Sequence, residues 1–428
     1  MMRNTALVGW GVCGVAALMA AACGSADGGK AVCAPEDGGE ASSAGTSGSE
    51  NNGGSGNAAG TGETGGAGGA GGEGALPEGV VPALPSSFEP SNLPADLDLD
   101  VEEDLIIDGE TCASHAVIDT DKGEIRCYSP GLEQRHPTFV FKVVEQGDGS
   151  ELAVFAGKNI VLAPTVQVTV EGQRPLVLLA PGDITLRGSL YAIPDDIYFS
   201  KANSGGFSSP DAMQSKGLGP GGGGSTSTQA GGGAYCGKGG SATGSLGGVA
   251  YGSPELVPLL GGSSGGAAGT DAGAGGGAVQ VVAGGLLSIA ATGVIHVGGG
   301  NGMWGSSGAG SGGAILLEAP DISVLGTLAA NGGGGGEGTA AGDDGFRASP
   351  DDIAAPGGNT GTETTDDNGG DGSAGATIDG SPGSKTSGGG GGGAGRIRLN
   401  STTGEAVVTG TLSPALETEC VSQGQLSG

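Results

Sequence analysis

The sequence predicts an all-β fold, a parallel β-helix (β-solenoid) with long glycine-rich loop insertions. Three observations lead there. A short apolar motif recurs along the chain. Glycine supplies 100 of the 428 residues without a Gly-X-Y period, which excludes collagen. Aromatic residues make up only 3%, too few for a conventional core but suited to a narrow interior of aliphatic side chains.

The recurrence can be read directly. Residues 176–192, LVLLAPGDITLRGSLYA, align without a gap with residues 314–330, AILLEAPDISVLGTLAA. Asp183 falls on Asp321, Ile184 on Ile322, Gly188 on Gly326 and Leu190 on Leu328. Looser copies occupy residues 278–297 and 396–414, and another ends at Gly172. The unit is a strand, a turn, a second strand, a glycine corner and a third short strand. One such unit cannot bury its apolar face alone, so stacked copies must share an interior ladder of Ile, Leu and Val. Gly188, Gly293, Gly326 and Gly410 share one repeat position, where a corner needs either positive φ or close backbone packing.

The remaining segments follow from composition. Residues 205–277, 298–313 and 332–395 are glycine-rich insertions between repeats. Polyglycine has no side-chain contacts to offset its ordering entropy, so these are expected to be disordered or loosely packed. Residues 96–158 carry β signals, including two apolar runs around Gly147-Asp148-Gly149, and read as a small N-terminal β cap. In residues 96–109 Leu alternates with Asp at the strand period, placing the acids on a solvated face. The solenoid is expected over 159–414 and a C-terminal tail over 415–428.

The N-terminal region carries a targeting pattern. Arg3 is the sole charge before an apolar run from Thr5 to Ala22, which reads as a signal peptide over residues 1–22. The stretch Met19-Ala20-Ala21-Ala22-Cys23-Gly24 resembles the lipobox of bacterial lipoproteins, with Ala20 where that family prefers Leu. The resemblance implies that Cys23 becomes the acylated N-terminus, anchored to a membrane. Gly24 is not the aspartate of the better-known sorting rule, so the expected location is the cell envelope, at the outer membrane or cell surface. Residues 23–95, largely Gly, Ala, Ser and Glu, read as a disordered tether.

Net charge is −30, which disfavours a nucleic-acid partner. Cys112 and Cys127 flank a hairpin pattern, and an exported chain meets an oxidising compartment, so they are a candidate disulfide. The pairing of Cys33, Cys236 and Cys420 stays open; Cys236 with Cys420 is one choice.

Five pieces together resemble a family of glycine-rich lipoproteins of Gram-negative soil bacteria, often labelled PE-PGRS-like. They are PLVLLAPGDITLRGSL, YGSPELVPLLGGSSGG, SGGAILLEAPDISVLGTLAANGGGGG, GGGGGGAGRIRLN and GTLSP. The likeness spans about residues 112–414. It implies the β-solenoid fold and a surface location, and it transfers no catalytic residue.

Motifs for chemistry are sparse. Gly262-Ser263-Ser264-Gly265-Gly266 satisfies G-x-S-x-G but lacks a following helix. His296 aligns with Tyr191 and Ala329 and is expected on the solvated outer side. Asp119–Glu124 begins like a calcium loop but fits a hairpin turn better. Asp366, Asp367 and Asp371 form the one acidic cluster suited to a weakly held Ca2+. Asp183 and Asp321 share a repeat position and would form a carboxylate pair if stacked. The expected role is therefore non-enzymatic: structural, adhesive, or an envelope and matrix contact that includes extracellular polysaccharide. The alternatives are a β-helix enzyme acting on polysaccharide and a calcium-binding surface protein.

Overall fold

The protein is described by a computed structural model over residues 81–129, 132–136, 138–195, 199–338, 342–361 and 367–427. Its strands form three largely parallel sheets of six, seven and eight strands. The chain visits the sheets in a fixed order. Leu176–Ala180 lies in the seven-stranded sheet, Ile184–Leu186 in the six-stranded and Ser189–Tyr191 in the eight-stranded. The triplet Ala278–Ala283, Leu286–Ile289 and Val294–His296 follows, each strand pairing parallel with its counterpart. Two more triplets, beginning at Ala314 and Arg396, repeat the pattern.

Register carries the aliphatic residues into continuous columns. Leu105, Ile160, Ile184, Leu287 and Ile322 are stacked partners in the six-stranded sheet. Val168, Leu190, Ile295, Leu328 and Leu412 do the same in the eight-stranded sheet. All belong to one buried cluster. Burying each large aliphatic side chain contributes roughly 1.5–3 kcal/mol. The central strands of the seven-stranded sheet are buried on both faces, which explains why they read LVLLA and AILLE without alternation. Its outer face is covered by Ala83, Phe88, Leu97, Leu99, Leu256 and Leu259.

Several expected boundaries shift. Residues 81–95, placed in the tether by composition, instead form a strap. Val81–Pro82 pairs with Asp100–Val101, and Ser91 donates from its backbone and hydroxyl to the buried Glu318 carboxylate. Gln280 and Asn400 donate to the same carboxylate. Residues 96–158 are not a separate cap, because Leu105–Ile107, His115–Asp119 and Glu151–Ala156 are parallel members of the three sheets. The hairpins at Asp119–Glu124 and Gly147–Gly149 hang on those strands. Residues 415–428 are not a tail, since Val421–Gln425 pairs with Arg396–Ser401. Cys112 is bonded to Cys127, and Cys236 to Cys420.

The largest departure concerns glycine. All three insertions leave after a strand of the eight-stranded sheet and return to the seven-stranded one. Their glycine runs, such as residues 261–268, 308–313 and 388–395, are buried and hydrogen-bonded to other segments, not disordered or loosely packed. Over residues 308–313 the donors follow a three-residue period. Gly308 and Ser311 donate to Gly266 and Ser263, Ala309 and Gly312 to Gly390 and Gly393, and Gly310 and Gly313 to Gly300 and Val297. Residues 389–395 repeat the scheme. Gly389, Gly392 and Gly395 donate to Gly336, Gly333 and Ala330, while Gly390 and Gly393 donate to Ala230 and Gly233. Three residues per turn without internal bonds is the polyproline II geometry, and each segment thereby addresses three neighbours. The expectation of disorder counted side-chain contacts alone. Here the backbone amides find partners and the bare chains pack closely, so the missing side chains are no loss.

Close approach fixes the residue type. A Cβ on Gly310 would lie 1.9 Å from the Ala274 oxygen, and one on Gly392 1.9 Å from the Gly310 oxygen. The corner glycine works the same way: a Cβ on Gly326 would meet the Gly293 oxygen at 2.1 Å. Close packing, not positive φ, is what that position requires.

Gly392→Ala is expected to destabilise the folded chain by at least about 2 kcal/mol, an overpacking cost with no side chain free to yield. Gly147→Ala, where a Cβ meets nothing within 4 Å, should change stability by less than about 0.5 kcal/mol. Urea unfolding of both variants checks the contrast.

Candidate functional site

A concave surface lined mainly by polar side chains lies on the outer face of the eight-stranded sheet. Three strands supply its floor. His115, Gln167 and Ser189 form one column, Val117, Thr169 and Tyr191 the next, and Asp119 and Glu171 a third. The alternation that sends Ala116, Val168 and Leu190 inward sends these residues outward. The hairpin turn at residues 119–123 makes one wall, and Ile193, Pro194 and Asp195 with Lys201 and Asn203 make another, enclosing about 500 Å³.

Hydrogen bonds hold the floor. His115 Nε2 and Thr169 Oγ1 are 3.1 Å apart, and the His115 ring stacks on Tyr128 with centroids 5.5 Å apart. Lys122 Nζ donates to Asp119 Oδ2 at 2.6 Å. Arg126 stands between Asp119, at 3.8 Å, and Glu171, to which it donates directly. Burial opposes the Asp119 charge, but the hydrogen bonds from the Lys122 side chain and backbone outweigh it and hold the carboxyl below its usual range. Asp119 is therefore an ionised structural acceptor and not a reservoir for a proton in general acid catalysis.

The same face is covered one strand further along. His296 follows Tyr191 in the column and meets its ring edge-on at 5.4 Å. It turns away from the interior as expected, but it is not solvated. The segment carrying Arg347 and Ala348 lies over it, and His296 is only 2% exposed. Nε2 lies 3.1 Å from the Ala348 oxygen, while Nδ1 is buried without a partner. Burial pushes its pKa down to about 4 against the help of the backbone contacts to Ala348 and Ala329.

The other sequence candidates separate. Asp183 and Asp321 are not adjacent: Leu286 stands between them in the register, so they lie two strand spacings, roughly 10 Å, apart. Asp183 Oδ1 accepts from the Leu286 amide, a turn role. Ser264 is buried in the glycine array, where its hydroxyl accepts from the Leu218 amide. Asp371 accepts from the Gly357 amide and Asp367 from the Ser387 hydroxyl, each tied to a different segment. Asp366 and Cys23 lie outside the described residues. Among the described residues no group of three His, Cys, Asp or Glu side chains could hold a metal ion, and no helix is long and apolar enough to cross a membrane.

Sequence reasoning did not single out the groove. Its signal was the outward column through Tyr191 and His296, which the repeat alignment already contained. The walls come from non-repeating segments, and their placement has no periodic signature. In comparisons with known proteins the chain matches no family model, no curated protein and no solved structure.

His296 gives a signed pH dependence. Because its folded-state pKa is depressed, the unfolded chain takes up the proton first as pH falls. The stability tied to neutral His296 is complete above pH 6.5, declines toward pH 4 and is gone below it. The full change is about 3 kcal/mol. Unfolding free energies of the natural chain and His296→Gln, measured across this window, should converge as pH falls, because only the natural chain carries this term.

Proposed function

We propose that this chain is a surface-anchored lipoprotein of structural or adhesive function, built as a parallel β-helix that displays a polyglycine bundle. The observation that supports it best is the three-residue hydrogen-bond period of the insertions. Rigid insertions hold their turns at fixed positions, so a surface made of those turns loses little entropy on contact with a partner. Disordered loops would lack that advantage.

The β-helix reading rests on the fixed order in which the chain visits the three sheets and on the parallel columns that result. The anchoring reading rests on the lipobox-like stretch ending at Cys23 and on the family resemblance, glycine-rich lipoproteins of Gram-negative soil bacteria. The enzymatic alternative is weaker, because Asp183 and Asp321 are held apart by Leu286 and Asp119 is held ionised by Lys122.

Protease shaving of intact cells tests the proposal. The natural protein should be cell-bound and removed by external protease, and Cys23→Ala should appear in the medium or periplasm. A natural protein that is soluble, or protected from protease, would overturn the anchored-surface reading.

A further inference from the structure

We propose that the groove on the eight-stranded sheet binds a neutral polysaccharide chain laid along the stacking direction of the strands. The inference rests on the groove and not on where the protein is displayed, so it stands or falls separately from the surface-anchoring reading.

Spacing is the first argument. Successive strands place like-facing side chains about 4.8 Å apart, close to the length of one pyranose in an extended glycan. His115, Gln167 with Thr169, and Tyr191 line the groove from three successive strands and therefore offer contacts at about that repeat. Covering begins at His296, so the groove is closed at that end. A volume of about 500 Å³ suits a short oligosaccharide.

Side-chain chemistry is the second. Tyr191 offers a flat ring with a polar tip, the type of side chain that meets the apolar face of a sugar while its edge stays wet. Thr169, Gln167 and Asn203 supply neutral hydrogen-bonding groups beside it. Asn203 directs its amide nitrogen to the Ile193 oxygen, which fixes the side chain in place.

Charge and topology exclude the competitors. Asp119, Asp121, Glu171 and Asp195 line the groove against Lys122 and Lys201, and the whole chain carries −30. Uronate or sulfated chains and nucleic acids would be repelled. An extended peptide binds through an unpaired strand edge. The groove floor is a sheet face whose end strand, His115–Asp119, is already paired with Glu124–Ser129.

Isothermal titration of the mature full-length chain with cellohexaose, chitohexaose and an oligogalacturonate tests this. At least one of the two neutral hexasaccharides should bind, with an affinity that does not change with salt. Gln167→Ala and Tyr191→Ala should each weaken binding about tenfold, and Tyr191→Phe should retain most of it. Gln167 is exposed, so its variant remains informative if Tyr191→Ala fails to fold. No binding of either neutral hexasaccharide, unchanged binding by Gln167→Ala, or tighter binding of the oligogalacturonate would overturn the proposal.

Discussion

A carbonyl oxygen of one glycine segment sits where a side chain of its neighbour would begin. This contact recurs throughout the insertions, as at Gly310 against Ala274 and Gly312 against Ala330. It permits chains without side chains to come within hydrogen-bonding reach in several directions at once. Only then can a segment such as residues 308–313 give its amides to three neighbours in turn. The glycine content of the insertions follows from that proximity. Where Ser311 enters the array, its hydroxyl donates to the Ala234 oxygen.

Two kinds of cohesion therefore meet in one unit. The sheets are held by aliphatic columns that remove apolar surface from water. The glycine array is held by backbone hydrogen bonds and close atomic contact, with little apolar side chain to bury. The two are fastened at a few points. Cys236, in the array, is bonded to Cys420, just before the last strand. Glu318, inside the seven-stranded sheet's outer layer, gathers donors from Ser91, Gln280 and Asn400 and so ties the N-terminal strap to three strands. A buried carboxylate with several donors is tolerable where an unpaired one would not be.

The repeating half of this architecture was legible and the non-repeating half was not. Ile184 on Ile322 and Leu190 on Leu328 aligned in the sequence because each must occupy the same column, and the structure stacks them there with Leu287 and Ile295 between. Leu97 and Leu99 alternate with exposed aspartates as their period required. By contrast, nothing periodic distinguishes the sequence of residues 81–95 from that of the residues before them, although Phe88 and Ala83 are buried. Polyglycine was the hardest to read, because its order depends on partners far away in sequence and glycine carries no pattern by which to find them. The groove floor was visible in the column through Tyr191, while its walls and the cover over His296 come from segments that occur once.

The three-residue period also sets a rule for how these genes can change length. Loss of one glycine codon from residues 389–395 would turn every later amide by a third of a revolution, so that bonds now made to residues 336, 333 and 330 would point at a different neighbour. Loss of three codons would shorten the segment by one turn and leave each remaining amide facing the neighbour it had. Repetitive glycine codons are prone to slippage during copying, and this fold tolerates such slips by the triplet of residues rather than by the single residue. Length variation among related insertions should therefore be counted in threes wherever the segment lies inside the array, and be unrestricted at the turns.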